Sequence, residues 1–238
     1  MYNIVRVPIL PFHMVNAHLI MGDKGCVLVD CGLPGSETRV ASLLARHNRT
    51  LRDIRLIVVT HAHVDHAGGA QALRNLTGAP ILAHQGDLPY YRREIPMQYC
   101  PSGWAGSVFL KTSLPHEGYA AFEPDILLQD GQEFDLQAVG FAGKVLPTPG
   151  HTTGSVSVVM DTQEALVGDM VASGMLIGGL FRRGHAIRPP FEDDPQRVGW
   201  ELKKLLNQGC RKFHLGHGGP LNAGEVTRHA ERLIKSAC

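Results

Sequence analysis

Residues 60–69 have the sequence THAHVDHAGG and directly follow the largely apolar run 54–59. Three histidines and an aspartate fall within six positions, at His61, His63, Asp65 and His66. The preceding run, rich in Val, Ile and Leu, is typical of a buried strand. Because α/β folds usually place their chemistry at the carboxyl ends of strands, these residues predict a functional loop at a strand end.

The chain as a whole has the composition of an ordinary globular protein. Of its 238 residues, 44% are hydrophobic and 19% are charged, with a formal net charge of +1. This balance favours neither nucleic acid nor a membrane as a partner, and no apolar run reaches membrane-spanning length. Five cysteines without a CxxC pair, and a start without a signal-peptide pattern, predict a reduced, cytoplasmic protein.

Strand-like runs alternate with helical patterns in the first and last thirds of the chain, which indicates an α/β protein. Residues 66–78 predict one helix that ends at Gly78. Residues 86–125 are rich in proline and aromatic side chains, and we interpret them as an insertion that borders a substrate cleft. We expect a single domain over residues 1–238.

Three further polar residues follow other strand-like runs and adjoin glycines: His151, Asp169 and His217. Neutral imidazoles and carboxylates are the usual ligands of zinc and related divalent ions. Together with the first four residues they make five histidines and two aspartates, too many for one tetrahedral ion. The set suits two ions that share a carboxylate, so we predict two divalent metal ions, with zinc first and iron or manganese as alternatives.

The sequence HAHVDH of residues 61–66 matches the HxHxDH signature of the metallo-β-lactamase superfamily. His151, Asp169 and His217 follow in the order of that family, and VLVDCG at residues 27–32 resembles its first motif. The resemblance covers nearly the whole chain. It implies an αββα sandwich, in which two mixed β-sheets lie face to face, with helices outside and the metals at one edge.

The resemblance also implies a role for each motif residue. It assigns seven ligands to two ions: His61, His63 and His151 to the first, Asp65, His66 and His217 to the second, and Asp169 between them. Asp30 would support the ligand loop from behind, since ligands need partners that orient them.

The superfamily carries many reactions, and departures from its branches narrow the choice. Asp169 stands where dedicated β-lactamases usually carry cysteine or serine. Only about one helix follows His217, where glyoxalase II-type thioesterases carry a helical domain. Well-known lactonases use a tyrosine shortly after the aspartate that corresponds to Asp169, but no tyrosine follows Tyr119 in this chain. The leading hypothesis is a glyoxalase II-like or lactonase-like dinuclear hydrolase of a small ester, thioester or lactone. A metal-bridging hydroxide would attack the carbonyl, and Asp65 would carry the proton.

Three alternatives stay open: a mononuclear iron persulfide dioxygenase, a β-lactamase-like hydrolase and a non-catalytic metal-binding protein. The expected partner is a small-molecule substrate. We expect no nucleic acid or membrane partner, and a homodimer is the alternative to a monomer. The predicted cleft walls come from the insertion and from residues 173–185, with these candidates for substrate contact: Tyr91, Met97, Trp104, Phe109, and Arg182 and Arg183 as anchors for a carboxylate.

Overall fold

The computed structural model describes residues 2–113, 115, 117–174 and 181–236 of the chain. The first sheet has six strands in sequence order. The first two pairs of neighbours are antiparallel and the last three are parallel. Its strands are β1 (Tyr2–Pro8), β2 (Asn16–Gly22), β3 (Gly25–Val29), β4 (Ile54–Val58), β5 (Ile81–His84) and β6 (Ile126–Leu128).

The second sheet also has six strands and is mixed, because one inner pair is parallel and the other pairs are antiparallel. Its strands, in the order in which they pair, are β14 (Leu221–Asn222), β13 (Lys212–His214), β10 (Glu164–Leu166), β9 (Val156–Met160), β8 (Gly143–Pro147) and β7 (Phe134–Asp135). A separate pair consists of β11 (Ala172–Ser173) and β12 (Ala186–Ile187).

Seven α-helices surround the sheets in the described part of the chain: α1 (Glu37–Arg46), α2 (Val64–Ala67), α3 (Ala70–Thr77), α4 (Leu88–Tyr91), α5 (Gly103–Phe109), α6 (Pro195–Asn207) and α7 (Ala223–Lys235). Helices α4 and α5 lie in the segment between β5 and β6, which includes the proposed insertion. No helix among the described residues combines the length and the hydrophobicity that crossing a membrane requires.

The buried side chains of the strands alternate between two layers, as the two-residue period of a strand dictates. In β3, Val27 and Val29 contact the layer between the sheets, which includes Val158 of β9. Leu28 of the same strand contacts an outer layer with Leu44 of α1. A third layer packs α6 and α7 onto the second sheet. The order helix, sheet, sheet, helix confirms the predicted αββα fold.

Candidate metal centre

All seven predicted ligands lie together at one edge of the sandwich, in loops that follow strands of both sheets. The loop after β4 and the short helix α2 supply the four residues of the HxHxDH motif. The second sheet supplies His151 from the β8–β9 loop, Asp169 after β10 and His217 after β13. The parallel pairs β3–β4 and β10–β13 bring their carboxyl ends to this edge.

The first ligand group consists of His61, His63, His151 and Asp169, all buried. Nδ1 of His63 lies 3.2 Å from Nε2 of His61 and 3.2 Å from Nε2 of His151. Oδ2 of Asp169 lies 3.9 Å from the first of those Nε2 atoms and 3.8 Å from the second. A tetrahedral zinc ion with nitrogen ligands at about 2.0–2.1 Å requires ligand atoms about 3.3 Å apart. The two imidazole separations match this requirement, and the Asp169 oxygen lies about 0.5 Å farther from the imidazoles than it requires.

The second ligand group consists of Asp65, His66 and His217. Oδ2 of Asp65 lies 3.8 Å from Nε2 of His66 and 3.4 Å from Nε2 of His217. Asp169 faces this group too, because its Oδ1 is 3.3 Å from Nε2 of His66 and its Oδ2 is 2.9 Å from Nε2 of His217. Its carboxylate therefore lies between the two groups, where the sequence predicts a bridging ligand.

Two polar atoms in the cluster support the fit to a cation. Among the described residues, the buried Nε2 of His66 and Oδ1 of Asp169 lie 3.3 Å apart, and neither atom makes a well-formed hydrogen bond to any group. A buried polar atom without a partner is costly, and a metal ion is a natural partner for a lone pair on each of them. A donor set of imidazoles and carboxylates without thiolate also suits zinc, iron or manganese.

Asp30 lies behind the cluster and holds two of its imidazoles. Its Oδ2 accepts a hydrogen bond from Nδ1 of His66 at 2.9 Å, and its Oδ1 accepts from the backbone N–H of Thr60 at 2.8 Å. The Thr60 hydroxyl lies 2.8 Å from Oδ1 of Asp30 and 3.0 Å from Nδ1 of His61. With both Nδ1 atoms protonated, Nε2 of each ring presents its lone pair to the cluster.

The loop between β1 and β2, together with the first residue of β2, orients His217 from the other side. Nδ1 of His217 donates to the backbone carbonyl of Met14. The buried amide of Asn16 donates to the carbonyls of Gly216 and Gly218 at 3.2 Å each, which fixes the backbone on both sides of the histidine. The position of His217 thus depends on contacts about 200 residues apart in sequence.

Asp87 is a supporting residue that the sequence analysis missed. Its buried carboxylate accepts hydrogen bonds from the backbone N–H of Ala62, the hydroxyl of Thr152 and the backbone N–H of Gly154, each at 2.9 Å. A Cβ atom at Gly154 would lie 2.4 Å from the backbone N of Asp87, so glycine permits this approach. Asp87 therefore joins the HxHxDH loop of the first sheet to the His151 loop of the second.

The electrostatics of the two groups differ. Burial lowers the pKa of His63 to about 4 and holds the pKa values of the other two imidazoles of the first group well below their ordinary value. These rings are neutral at pH 7 and can bind a cation. Burial also opposes protonation of His66 and His217, but nearby carboxylates, Asp169 first, outweigh it and raise both pKa values. Metal binding to the second group therefore competes with protons.

A cavity of about 130 Å³ borders five of the seven candidate ligands. The predicted wall residue Phe109 lines it, and so does Tyr99, which the sequence analysis did not single out. The ring of Tyr99 lies 5.0 Å from that of His63 and 4.6 Å from that of Phe191, between centroids. These rings form an aromatic wall beside the first ligand group.

Three of the predicted substrate contacts lie away from the cavity that borders the ligands. Tyr91 is fully buried and packs on Phe122 in the core, so its side chain cannot reach a substrate. Trp104 is 81% exposed and does not line the cavity that borders the ligands. Arg182 lies at a separate cavity that Glu225 also lines. Local sequence could not show that the first ring turns inward and the second outward.

The remaining predicted substrate contacts lie at different places relative to the ligands. Met97 lines a neighbouring cavity with Tyr119 rather than the one beside the ligands. Arg183 is exposed. The pKa of His13 is lowered by burial first, then by the charge of Arg6 and then by the charge of Arg183. Its role toward a substrate stays a prediction. Residues 175–180 of the predicted wall 173–185 lie outside the described residues.

Residues 10–217 match the family model of the metallo-beta-lactamase superfamily, so the chain belongs to that superfamily. It is 25% identical over 223 residues to a probable metallo-hydrolase of Bacillus subtilis, across 87% of this chain and 82% of the relative. It is 28% identical over 185 residues to a hydroxyacylglutathione hydrolase of Haemophilus influenzae, across 76% of this chain and 78% of the relative.

A crystal structure of a metallo-beta-lactamase family protein from Thermus thermophilus shares the fold, with a TM-score of 0.67 and 23% identity. The match covers 98% of this chain and 79% of that one. The superfamily, the related hydrolases and the histidine–aspartate cluster together identify the chain as a metal-binding hydrolase.

Proposed function

We propose that the chain is a dinuclear metal-dependent hydrolase of a small ester, thioester or lactone, with zinc as the native ion. The observation that carries the proposal is the position of Asp169, whose carboxylate faces both ligand groups at 2.9–3.9 Å. Two divalent ions bound there would polarise a carbonyl oxygen and lower the pKa of a water between them.

The residues of the chain have separate tasks in this proposal. The buried histidines and Asp169 provide a fixed set of lone pairs, because Asp30, Thr60 and Met14 hold the far side of several rings. Asp65 differs from them, since 23% of its side chain is exposed and it borders the cavity. It can therefore meet both the second ligand group and the substrate, and we assign it the transfer of the proton.

Metal analysis combined with a substrate panel tests the proposal. We expect about two ions per chain and turnover of at least one of an ester, a thioester or a lactone. One iron per chain together with oxygen uptake on a persulfide would instead favour the dioxygenase alternative. Fast turnover of a β-lactam would favour the β-lactamase-like alternative. Two bound ions without turnover of any of these substrates would favour a non-catalytic metal-binding protein.

We further propose that residues 1–238 act as one domain, in the cytoplasm, on a small molecule rather than on nucleic acid or at a membrane, and that any stable assembly is a homodimer. What supports the single domain is the origin of the ligands, since neither sheet alone supplies a complete set. Size-exclusion chromatography with light scattering tests the homodimer.

A further inference from the structure

The cavity beside the ligands is the place where a substrate's non-reacting group can lie next to the cluster. It borders His63, Asp65, His151, Asp169 and His217. A group that fills this cavity would therefore be attached close to the atoms that react. The cavity thus selects among substrates of the proposed reaction.

Apart from the candidate ligands, the described residues that line the cavity are apolar or aromatic, and none is lysine or arginine. One wall comes from the β1–β2 loop and the loop after β3, with Leu10, Met14, Val15 and Leu33. Another part of the lining is aromatic, with Phe109 stacked on Phe191 at 5.7 Å between centroids.

The volume of the cavity, which is partly open to solvent, indicates the size of group that it can cover. An engineered apolar cavity of about 150 Å³ holds one benzene molecule. At about 130 Å³, this cavity is slightly smaller and has room for a group of about four to six carbons. A carboxylate at the end of such a group would lose its hydration without a described lysine or arginine in the lining to pair with it, which is costly.

We propose that this cavity binds the acyl chain of the substrate and selects an uncharged chain of about four to six carbons. The inference rests on the proposed hydrolase function and specifies its substrate. It differs from the carboxylate-bearing substrate that Arg182 and Arg183 suggest, because Arg182 lies at another cavity.

A series of p-nitrophenyl esters tests the proposal on the zinc-loaded protein. From acetate to hexanoate we expect kcat/KM to rise by about fourfold per methylene, the effect of burying one CH₂ group. It should level off or fall at octanoate. The glutarate monoester, which matches pentanoate in length but ends in a carboxylate, should be at least about tenfold slower than pentanoate.

Variants of one helix provide the matched control. Phe109→Ala enlarges the cavity and should move the optimum to longer chains, whereas Val108→Ala changes a neighbouring side chain that is 56% exposed and should leave the profile unchanged. A profile that is flat, that peaks at acetate, or that Phe109→Ala does not alter would overturn the inference.

Failure of the proposed function gives a different result. If no ester, thioester or lactone is turned over, calorimetry still compares the binding of hexanamide with that of acetamide. Tighter binding of hexanamide, weakened by Phe109→Ala, would support the apolar site without the reaction. Equal binding of the two amides would overturn it.

Discussion

Replacement of Asp87 by asparagine should weaken zinc binding by about 10–100-fold, the usual effect of losing a partner that orients metal ligands. Asp87 holds Ala62, between two candidate ligands, and Thr152, next to another. Asparagine keeps the shape of the side chain but replaces one acceptor oxygen by an NH₂ group. In either orientation of the amide, that group faces a backbone N–H, of Ala62 or of Gly154, and the contact between the loops loosens.

The stability of the metal-free fold should change much less, because two effects oppose each other. A buried N–H left without an acceptor costs about 1–3 kcal/mol. Burial raises the pKa of Asp87 to about 6, so the folded protein bears a cost of about 3 kcal/mol for keeping this carboxylate ionised at pH 7. Asparagine removes that cost. We therefore expect a net change in the free energy of unfolding below about 2 kcal/mol.

Chelator competition gives the zinc dissociation constant, and thermal unfolding with EDTA or with excess zinc gives the rise in Tm that zinc causes. In Asp87→Asn this rise should shrink. The control is Glu225→Gln, which alters another buried carboxylate that accepts a backbone N–H, from Ala186 at 2.9 Å, outside the cluster. It should lower Tm with and without zinc by the same amount. A dissociation constant of Asp87→Asn within about twofold of the parent value would refute the reasoning.

Three other changes have distinct expected outcomes. Asp30→Ala removes the acceptor of His66 and should lower both zinc affinity, by about 10–100-fold, and Tm; unchanged values in competition and calorimetry would contradict its supporting role. Asp169→Ser should retain the fold and about one ion but lose most turnover. Elemental analysis and kcat, measured on the same preparation, test this. Two bound ions together with the parental rate would mean that Asp169 is not the bridge. His229 is buried with a pKa lowered to about 4, so its unfolded form binds more protons below about pH 6.5 and stability falls with falling pH. His229→Phe should remove about 2 kcal/mol of the loss between pH 7 and pH 5 in urea unfolding of metal-free protein, and an unchanged loss would mean that another group causes it.

The strands and the clustering of the seven candidate ligands were predictable because their signals are local. A strand of β-branched residues followed by polar ligands is a short pattern, and the order of the later motifs identified the fold. One local prediction was incomplete, since residues 66–78 do not form one continuous helix: α2 ends at Ala67 and α3 begins at Ala70. A Cβ atom at Gly69 would lie 2.5 Å from the carbonyl oxygen of Cys31, so the loop after β3 packs where the helix breaks.

The surroundings of the ligands could not be predicted, because they depend on contacts between distant segments. Asp87 lies in a short stretch without a motif. Its supporting role depends on a contact with Thr152, which lies 65 positions later in the sequence. Aromatic residues of the middle segment also have no local signal for direction. Tyr99 turns toward the cluster, Tyr91 turns into the core and Trp104 turns to solvent.

The origin of the ligands in both sheets has a consequence for the motions of the fold. The four cysteines that the structure describes are free thiols, so among them no disulfide joins the two halves. An ion held by His63 and His151 would connect positions 88 residues apart, and it would do so reversibly. If the two sheets separated, the ligands would separate with them. The free energy of metal binding therefore also stabilises the closed sandwich against opening. Metal supply would then set how often the sandwich opens, and amide hydrogen exchange in β4 and β9 would report it.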